Sequence, residues 1–248
     1  MALQDLLIAL KKGTARSGDW AHRGRPGKVG GSGGGGGIAA GLRLDPKTAK
    51  LEDIRSRAAG ESAKKRIPLG DRQELMKHYG KHLADCEYGT PCDSVVAYTG
   101  SSYRNINRHL RGKGDGYDKQ QAEKYIPNID KVIEEGPRTA KTMRVIRGVG
   151  SGSTAAEIAA LAVGDEFQDK GYGSTSVKKD WDWSGDGTGS GLTLEVVVPK
   201  GSKGLYVEKI SSHKSEQEFL LPRNTKYRII SKEINEQGGG KVVVEEAA

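Results

Sequence analysis

Beyond position 70 the apolar residues first follow a helical period. Leu75, Met76, Tyr79 and Leu83 fall on one stripe, with Asp71 placed to cap it and Glu74 three residues later, the spacing of a capping box. A second stripe, Tyr103, Ile106, Asn107 and Leu110, follows Ser101 and Ser102. A third runs through Tyr125, Ile129, Val132 and Ile133, restarting at Pro127 and ending at Gly136-Pro137. Thr154 and Glu157 have capping-box spacing for a short helix through Leu161. The period then changes to two. Leu192, Leu194, Val196 and Val198 alternate with Thr193, Glu195 and Val197, and the run stops at Pro199 and Gly201. Further short strands are expected at 142–147, 172–176, 204–208, 216–221, 226–234 and 241–246. Helices first and strands later, without βαβ alternation, predict an α+β domain with antiparallel sheets over residues 69–248.

The first quarter of the chain has a different character. Of 40 Lys/Arg and 32 Asp/Glu, 14 and 6 lie in residues 1–68, so the whole formal charge of +8 belongs there and 26 of each sign remain beyond. Gly30 to Gly37 is an unbroken Gly/Ser run, too poor in side chains to pack. Residues 1–68 therefore read as a basic, glycine-rich, largely disordered arm. Two roles fit it equally, contact with nucleic acid or another polyanion and simple solubility. A phosphate loop is a poor fit, because Lys28 precedes the glycines instead of following them. The opening LQDLLIAL is short and runs into Lys11 and Lys12, so it reads as an amphipathic helical turn rather than a secretion signal. No stretch has the roughly 18 apolar residues of a membrane span. Cys86 and Cys92 flank a turn-like stretch with Gly89 and Pro91, which leaves a disulfide open, and neither has a metal-ligand pattern around it.

Three separated elements carry candidate chemistry. Arg147-Gly148 ends a predicted strand, Ser174-Thr175-Ser176 lies on another, and Glu216-Gln217-Glu218 opens EQEFLLP. On a strand, Glu216 and Glu218 would share one face, with carboxylates roughly 6–7 Å apart. Such a pair suits chemistry at a glycosidic carbon, where one carboxylate stabilises an oxocarbenium-like centre and the other handles the nucleophile. Two charges on the solvent face of an edge strand would look the same.

In order and surroundings, these elements resemble the Arg/Ser-Thr-Ser/Glu class of ADP-ribosyltransferases, especially the enzymatic domains of actin-modifying binary toxins and phage-encoded transferases. The stretches that carry the likeness are YTGSSYRNINRHLR (98–111), VIRG (145–148), GDEFQDKGYGSTS (164–176), LEVVVPKGSKGLYV (194–207) and SEQEFLLPRNTKYRII (215–230), within a core at 94–236. The resemblance implies a mono-ADP-ribosyltransferase fold, with N-terminal helices packed on two antiparallel β-sheets. It also implies NAD as co-substrate and no metal.

Individual positions follow from the same likeness. Glu218 matches the catalytic glutamate, which holds the nicotinamide ribose and stabilises the oxocarbenium ion as nicotinamide leaves. Glu216 matches the acid that engages the acceptor. Glutamate rather than glutamine there implies a protein arginine, for which a carboxylate is a bidentate partner. Arg147 matches the arginine that binds the NAD phosphates, and the Gly148 backbone would lie against the carboxamide. Ser174 matches the serine that orients the catalytic glutamate, with Thr175 and Ser176 shaping the same wall. Tyr98, Tyr103 and Asn107 match positions that approach the dinucleotide; by periodicity alone they equally form a core face and a helix cap.

Two departures stand out. His213 occupies the acceptor-recognition position where an aromatic residue is usual, three before the first acid. Residues 177–191 lack the arginine often offered to the pyrophosphate, leaving Lys178 or Lys179 as substitutes and Trp181 or Trp183 to stack on nicotinamide. Two rival readings stay open: an NAD glycohydrolase with water as acceptor, and a nucleic-acid-binding virion protein with an inert transferase fold. The segment HRGRPGKVGGS resembles stretches of phage head-associated proteins, although intact Arg147, Ser174, Glu216 and Glu218 argue against inertness.

Overall fold

A computed structural model of the chain describes residues 67–150, 153–179 and 189–247, together with the strand β1 (Ile8–Ala9). The rest of the expected arm, and Trp181 and Trp183, lie outside the described residues. Ile8–Ala9 is extended rather than helical and adds to the outer edge of β3 (Glu166–Asp169), where unpaired backbone groups offer a template for another strand. Ile67 and Pro68, expected in the arm, are tied to the body: their carbonyls accept from Arg144 Nε and Arg144 N, both at 2.8 Å.

The first predicted helix is α1 (Arg72–Gly80), and the Asp71 side chain accepts from Glu74 N at 2.9 Å as its spacing implied. A further helix, α2 (Pro91–Ala97), was not expected. Its local marks are Thr90 at the N-cap, proline in the first turn, where no N–H is needed, and Asp93 in that turn. A disulfide joins Cys86, ahead of this helix, to Cys92 in its first turn, the pairing that the sequence left open. Helix α2 runs into a π-helical turn at Tyr98–Ser102 and then into α3 (Tyr103–Leu110). Helix α4 (Gly116–Glu135) is longer than predicted. Asp115 and Asp118 close a capping box before it, and its buried stripe continues from Ala122 through Ile129, Val132 and Ile133, carrying the helix past Pro127 without a restart. The short helix expected near Thr154 is α5 (Ser153–Ala160).

The remaining strands are β2 (Met143–Val149), β4 (Gly173–Ser176), β5 (Leu192–Val198), β6 (Leu205–Tyr206), β7 (Glu218–Leu221), β8 (Thr225–Ile234) and β9 (Gly240–Ala247). All except β1 and β3 overlap predicted strand segments, with β2, β8 and β9 running one or two residues beyond them. Their hydrogen-bonded order is β1-β3-β8-β9-β5-β2-β4-β7-β6. Pairing narrows to the single pair Ile146↔Ser176 between β2 and β4, so the sheet divides into a larger lobe and the three-stranded lobe β4-β7-β6. The larger lobe is mixed, not antiparallel throughout. The turn after β8 returns β9 antiparallel to it, and the far edge of β9 then meets β5 in parallel, from Leu192↔Gly240 to Val197↔Glu245. Helices and sheet bury one continuous core that includes Tyr79, Val95, Tyr98, Ile129, Val145, Val196, Phe219 and Val244. Among the described residues no helix is long and apolar enough to cross a membrane.

Candidate active site

The three-stranded lobe positions Ser174 and Glu218. β4 and β7 pair antiparallel with Ser176 opposite Glu218 and Ser174 opposite Leu220. Alternation along the strands then places Ser174 and Glu218 diagonally on one face. Glu218 begins β7 and is only 5% exposed. Its carboxyl opens into a pocket shared with Ser174 and Glu216. Tyr98, Thr99 and Gly100 of the π-helical turn, Tyr103 of α3 and His213 complete the lining. A π-helical segment at such a place is common, because the extra residue re-aims side chains that a regular helix would bury.

Burial pushes the Glu218 carboxyl up to about 7. A hydrogen bond with the Ser174 hydroxyl pulls it back, the Glu216 carboxylate raises it further, and His213 lowers it. Burial dominates because a carboxylate loses more hydration than one hydroxyl restores. The Tyr98 hydroxyl accepts from Asn107 Nδ2 at 3.0 Å and hydrogen-bonds Ser174, so a polar chain runs from Asn107 through Tyr98 and Ser174 to Glu218. Asn107 acts through Tyr98; its own Oδ1 accepts from Tyr172 N at 3.0 Å.

Glu216 departs from its expected position. It closes a 3-10 turn, Lys214–Glu216, and Gln217 follows with φ 48°, so the two acids do not share a strand. The β4–β7 ladder ends at Ser176↔Glu218, and the polar run Ser211-Ser212-His213 has no alternation to extend it. Instead Ser176 Oγ donates to Glu216 O at 2.6 Å and Val177 N donates to Gln217 O at 3.2 Å, which pins the turn to the end of β4. Both carboxylates still reach one pocket, by a turn rather than by strand geometry. His213 Nδ1 lies 3.0 Å from Thr99 O and joins this turn to the π-helical segment.

The other predicted residues stand around this pocket rather than in it. Thr175 Oγ1 donates to Phe219 O at 2.5 Å and Ser176 accepts from Lys178 N at 3.0 Å, so both hold backbone. Arg147 and Gly148 are buried on β2, outside the lining of the pocket. Arg147 is 3% exposed and its Nη1 donates to Asp169 Oδ2 at 2.7 Å. Asp169 also binds Arg111, so two buried guanidiniums meet one carboxylate. Nearby, the buried Tyr227 hydroxyl lies within the field of Arg147 and Asp169 and interacts with the Thr225 side chain. Two guanidiniums beside one carboxylate are chemically suited to an anionic group such as a diphosphate. The sequence gives no sign that Arg111 and Asp169 pair; the partners are 58 residues apart and no local pattern links them. Among the described residues no cluster of three His, Cys, Asp or Glu is placed to hold a metal ion.

Comparison with known proteins agrees with this arrangement. The family model described as ADP-ribosyltransferase exoenzyme matches residues 73–248. The chain is 29% identical over 204 residues to secreted exoenzyme S of Pseudomonas aeruginosa, covering 79% of this chain and 42% of that protein. It is 31% identical over 142 residues to NAD(+)--arginine ADP-ribosyltransferase EFV of Enterococcus faecalis, covering 55% of this chain and 28% of that one. It thus spans less than half the length of these curated relatives. Among solved structures, Plx2a, an ADP-ribosyltransferase toxin from Paenibacillus larvae, superposes with a TM-score of 0.56 at 25% identity, covering 77% of this chain and 98% of that one. With its α+β architecture, its glutamate pocket and a family match over most of its length, the chain belongs to the ADP-ribosyltransferase exoenzyme family.

Proposed function

We propose that this protein cleaves NAD at the nicotinamide glycosidic bond and transfers ADP-ribose to an arginine side chain of a target protein. The observation that carries the reading is the buried Glu218 carboxyl, hydrogen-bonded by Ser174, in a pocket that also receives Glu216. A carboxyl held near neutrality is poised to ionise beside a cationic nicotinamide. Once ionised it faces the charge that develops at the ribose carbon as the C–N bond breaks and the bonding pair leaves with the ring nitrogen. Glu216 is partly exposed at the same pocket, where its carboxylate can take two guanidinium N–H groups, and then the proton the acceptor loses on forming its new bond. Arg147, with its buried positive charge, is assigned to the NAD phosphates, and Tyr98, Tyr103 and His213 to the walls against which substrate and acceptor lie.

The arginine assignment is supported by glutamate at position 216 and by the arginine-directed relative from Enterococcus faecalis. The catalytic unit is assigned to residues 67–248, since the family match begins at 73 and Ile67 and Pro68 are bonded to Arg144. The arm ahead of it is assigned to polyanion contact on its charge. The deciding experiment incubates the full chain with NAD labelled in the adenylate half and an arginine-rich acceptor, then locates the label by mass spectrometry. Arginine-linked ADP-ribose is the expected product. Nicotinamide release without label on any protein would make the chain a glycohydrolase instead.

A further inference from the structure

Asp169 ends β3 and is fully buried, yet it takes hydrogen bonds from three parts of the chain. Arg111 Nε and Nη2 donate to it at 3.1 Å each, Arg147 Nη1 at 2.7 Å and the Gly171 backbone N–H at 2.9 Å. The residues that follow are shaped around the same guanidiniums. A Cβ on Gly171 would stand 2.6 Å from Arg111 Nη2, and one on Gly173 would stand 3.2 Å from Arg147 Nη1. Both guanidiniums therefore lie directly on the backbone that leads into Ser174, and Ser174 hydrogen-bonds Glu218. One short segment thus connects the buried arginines to the reacting carboxyl.

We propose that Asp169 is a positioning residue for NAD: it fixes the orientation of Arg147, with Arg111 as counterweight, against the bare backbone at Gly171 and Gly173. The inference rests on the NAD-phosphate role assigned to Arg147 above. A guanidinium is a planar, directional donor, and its value to an anionic ligand depends on its plane being set beforehand. With both guanidiniums on one carboxylate, the geometry they present to that ligand is held by four hydrogen bonds. Asparagine at this position would keep the size but turn an amide N–H toward a guanidinium N–H, donor against donor.

The test compares the full-length protein with Asp169→Asn, Gly173→Ala and Arg147→Ala, by calorimetric titration with NAD and by steady-state nicotinamide release. Asp169→Asn is expected to raise the Kd and KM for NAD by roughly 10- to 100-fold, with kcat at saturation within about threefold. Gly173→Ala leaves every charge in place and crowds Arg147 Nη1, Leu221 Cβ and the Tyr227 hydroxyl, each at 3.2 Å, so it should raise KM by about 3- to 10-fold. A residue that merely held the fold together would lower the folded fraction, which reduces apparent kcat and leaves KM unchanged; that result overturns the proposal. Tighter NAD binding by Asp169→Asn also overturns it, since Asp169 would then only weaken the positive field. If Asp169→Asn does not fold, Gly173→Ala decides, and a KM within twofold of the parent rejects the proposal. Unchanged NAD affinity in Arg147→Ala would reject the role assigned to Arg147, and the proposal with it. Normal affinity in the other two beside a weakened Arg147→Ala rejects the role of Asp169 alone.

Discussion

Replacing Glu218 with Gln should remove activity and raise stability, and the two effects should separate with pH. The Glu218 carboxyl is pushed from its usual 4.5 up to about 7 by burial. In the unfolded chain the same group loses its proton near the ordinary value. Between those two pH values the folded protein holds a proton that the unfolded chain has released, so stability falls as pH rises. The full difference corresponds to about 3 kcal/mol, lost by the time pH is well above 7. Glutamine is neutral throughout and close in size, and it can still bond the Ser174 hydroxyl. Glu218→Gln should therefore match the parent near pH 4.5 and exceed it by up to about 3 kcal/mol near pH 8. Near pH 8, where the parent carboxyl is ionised, its NAD cleavage should fall by roughly 10²–10³ or more because the stabilising charge is gone, and toward pH 4.5 the gap should narrow as the parent loses that charge too. Urea unfolding at the two pH values, paired with nicotinamide release, reads both effects. A stability difference that does not change between pH 4.5 and 8 would refute the assignment of a buried, high-pKa carboxyl. A variant keeping more than half of the parent's NAD cleavage would refute its catalytic role.

The value of kcat/KM for NAD cleavage should rise with pH through about 7 as free Glu218 ionises, and a flat profile between pH 6 and 8 would contradict the pKa argued for it. Glu216→Gln should keep water-directed NAD cleavage within a few-fold while losing label transfer to arginine; equal loss of both would mean that Glu216 serves bond cleavage itself. Deleting residues 1–66 should leave nicotinamide release within a few-fold and abolish salt-sensitive retention on a DNA or heparin column, because the chain's excess positive charge lies in that arm. Loss of a cooperative melt on that deletion would show that the arm is part of the fold. Extending the deletion through Pro68 should cost stability as well, since it removes the carbonyls that accept from Arg144.

What could be read from the chain alone was whatever repeats within a few residues or stands in a distinctive order. The stripe from Leu75 to Leu83, the Asp71 cap and the alternation from Leu192 to Val198 all express the backbone period, so α1 and β5 were legible where they occur. Glu218 and Ser174 stood out because their motifs follow the family order, and both line one pocket. The helix Pro91–Ala97 is only seven residues long, and the strand Glu166–Asp169 has a single apolar residue, Phe167, so neither displays a period. The parallel pairing of β5 with β9 depends on which edge remains open after the β8–β9 hairpin forms, a fact about the assembled sheet. Strand periodicity put Glu216 and Glu218 on one face, but the β4 ladder stops at Ser176 and the chain turns away there. Two of the strongest local effects were invisible to pattern altogether. The shifted acidity of Glu218 arises from burial among segments distant in sequence, and Asp169 meets arginines 58 and 22 residues away. Local sequence sets backbone preference over a few residues, whereas desolvation and ion pairing are decided by what the folded chain brings within a few ångströms.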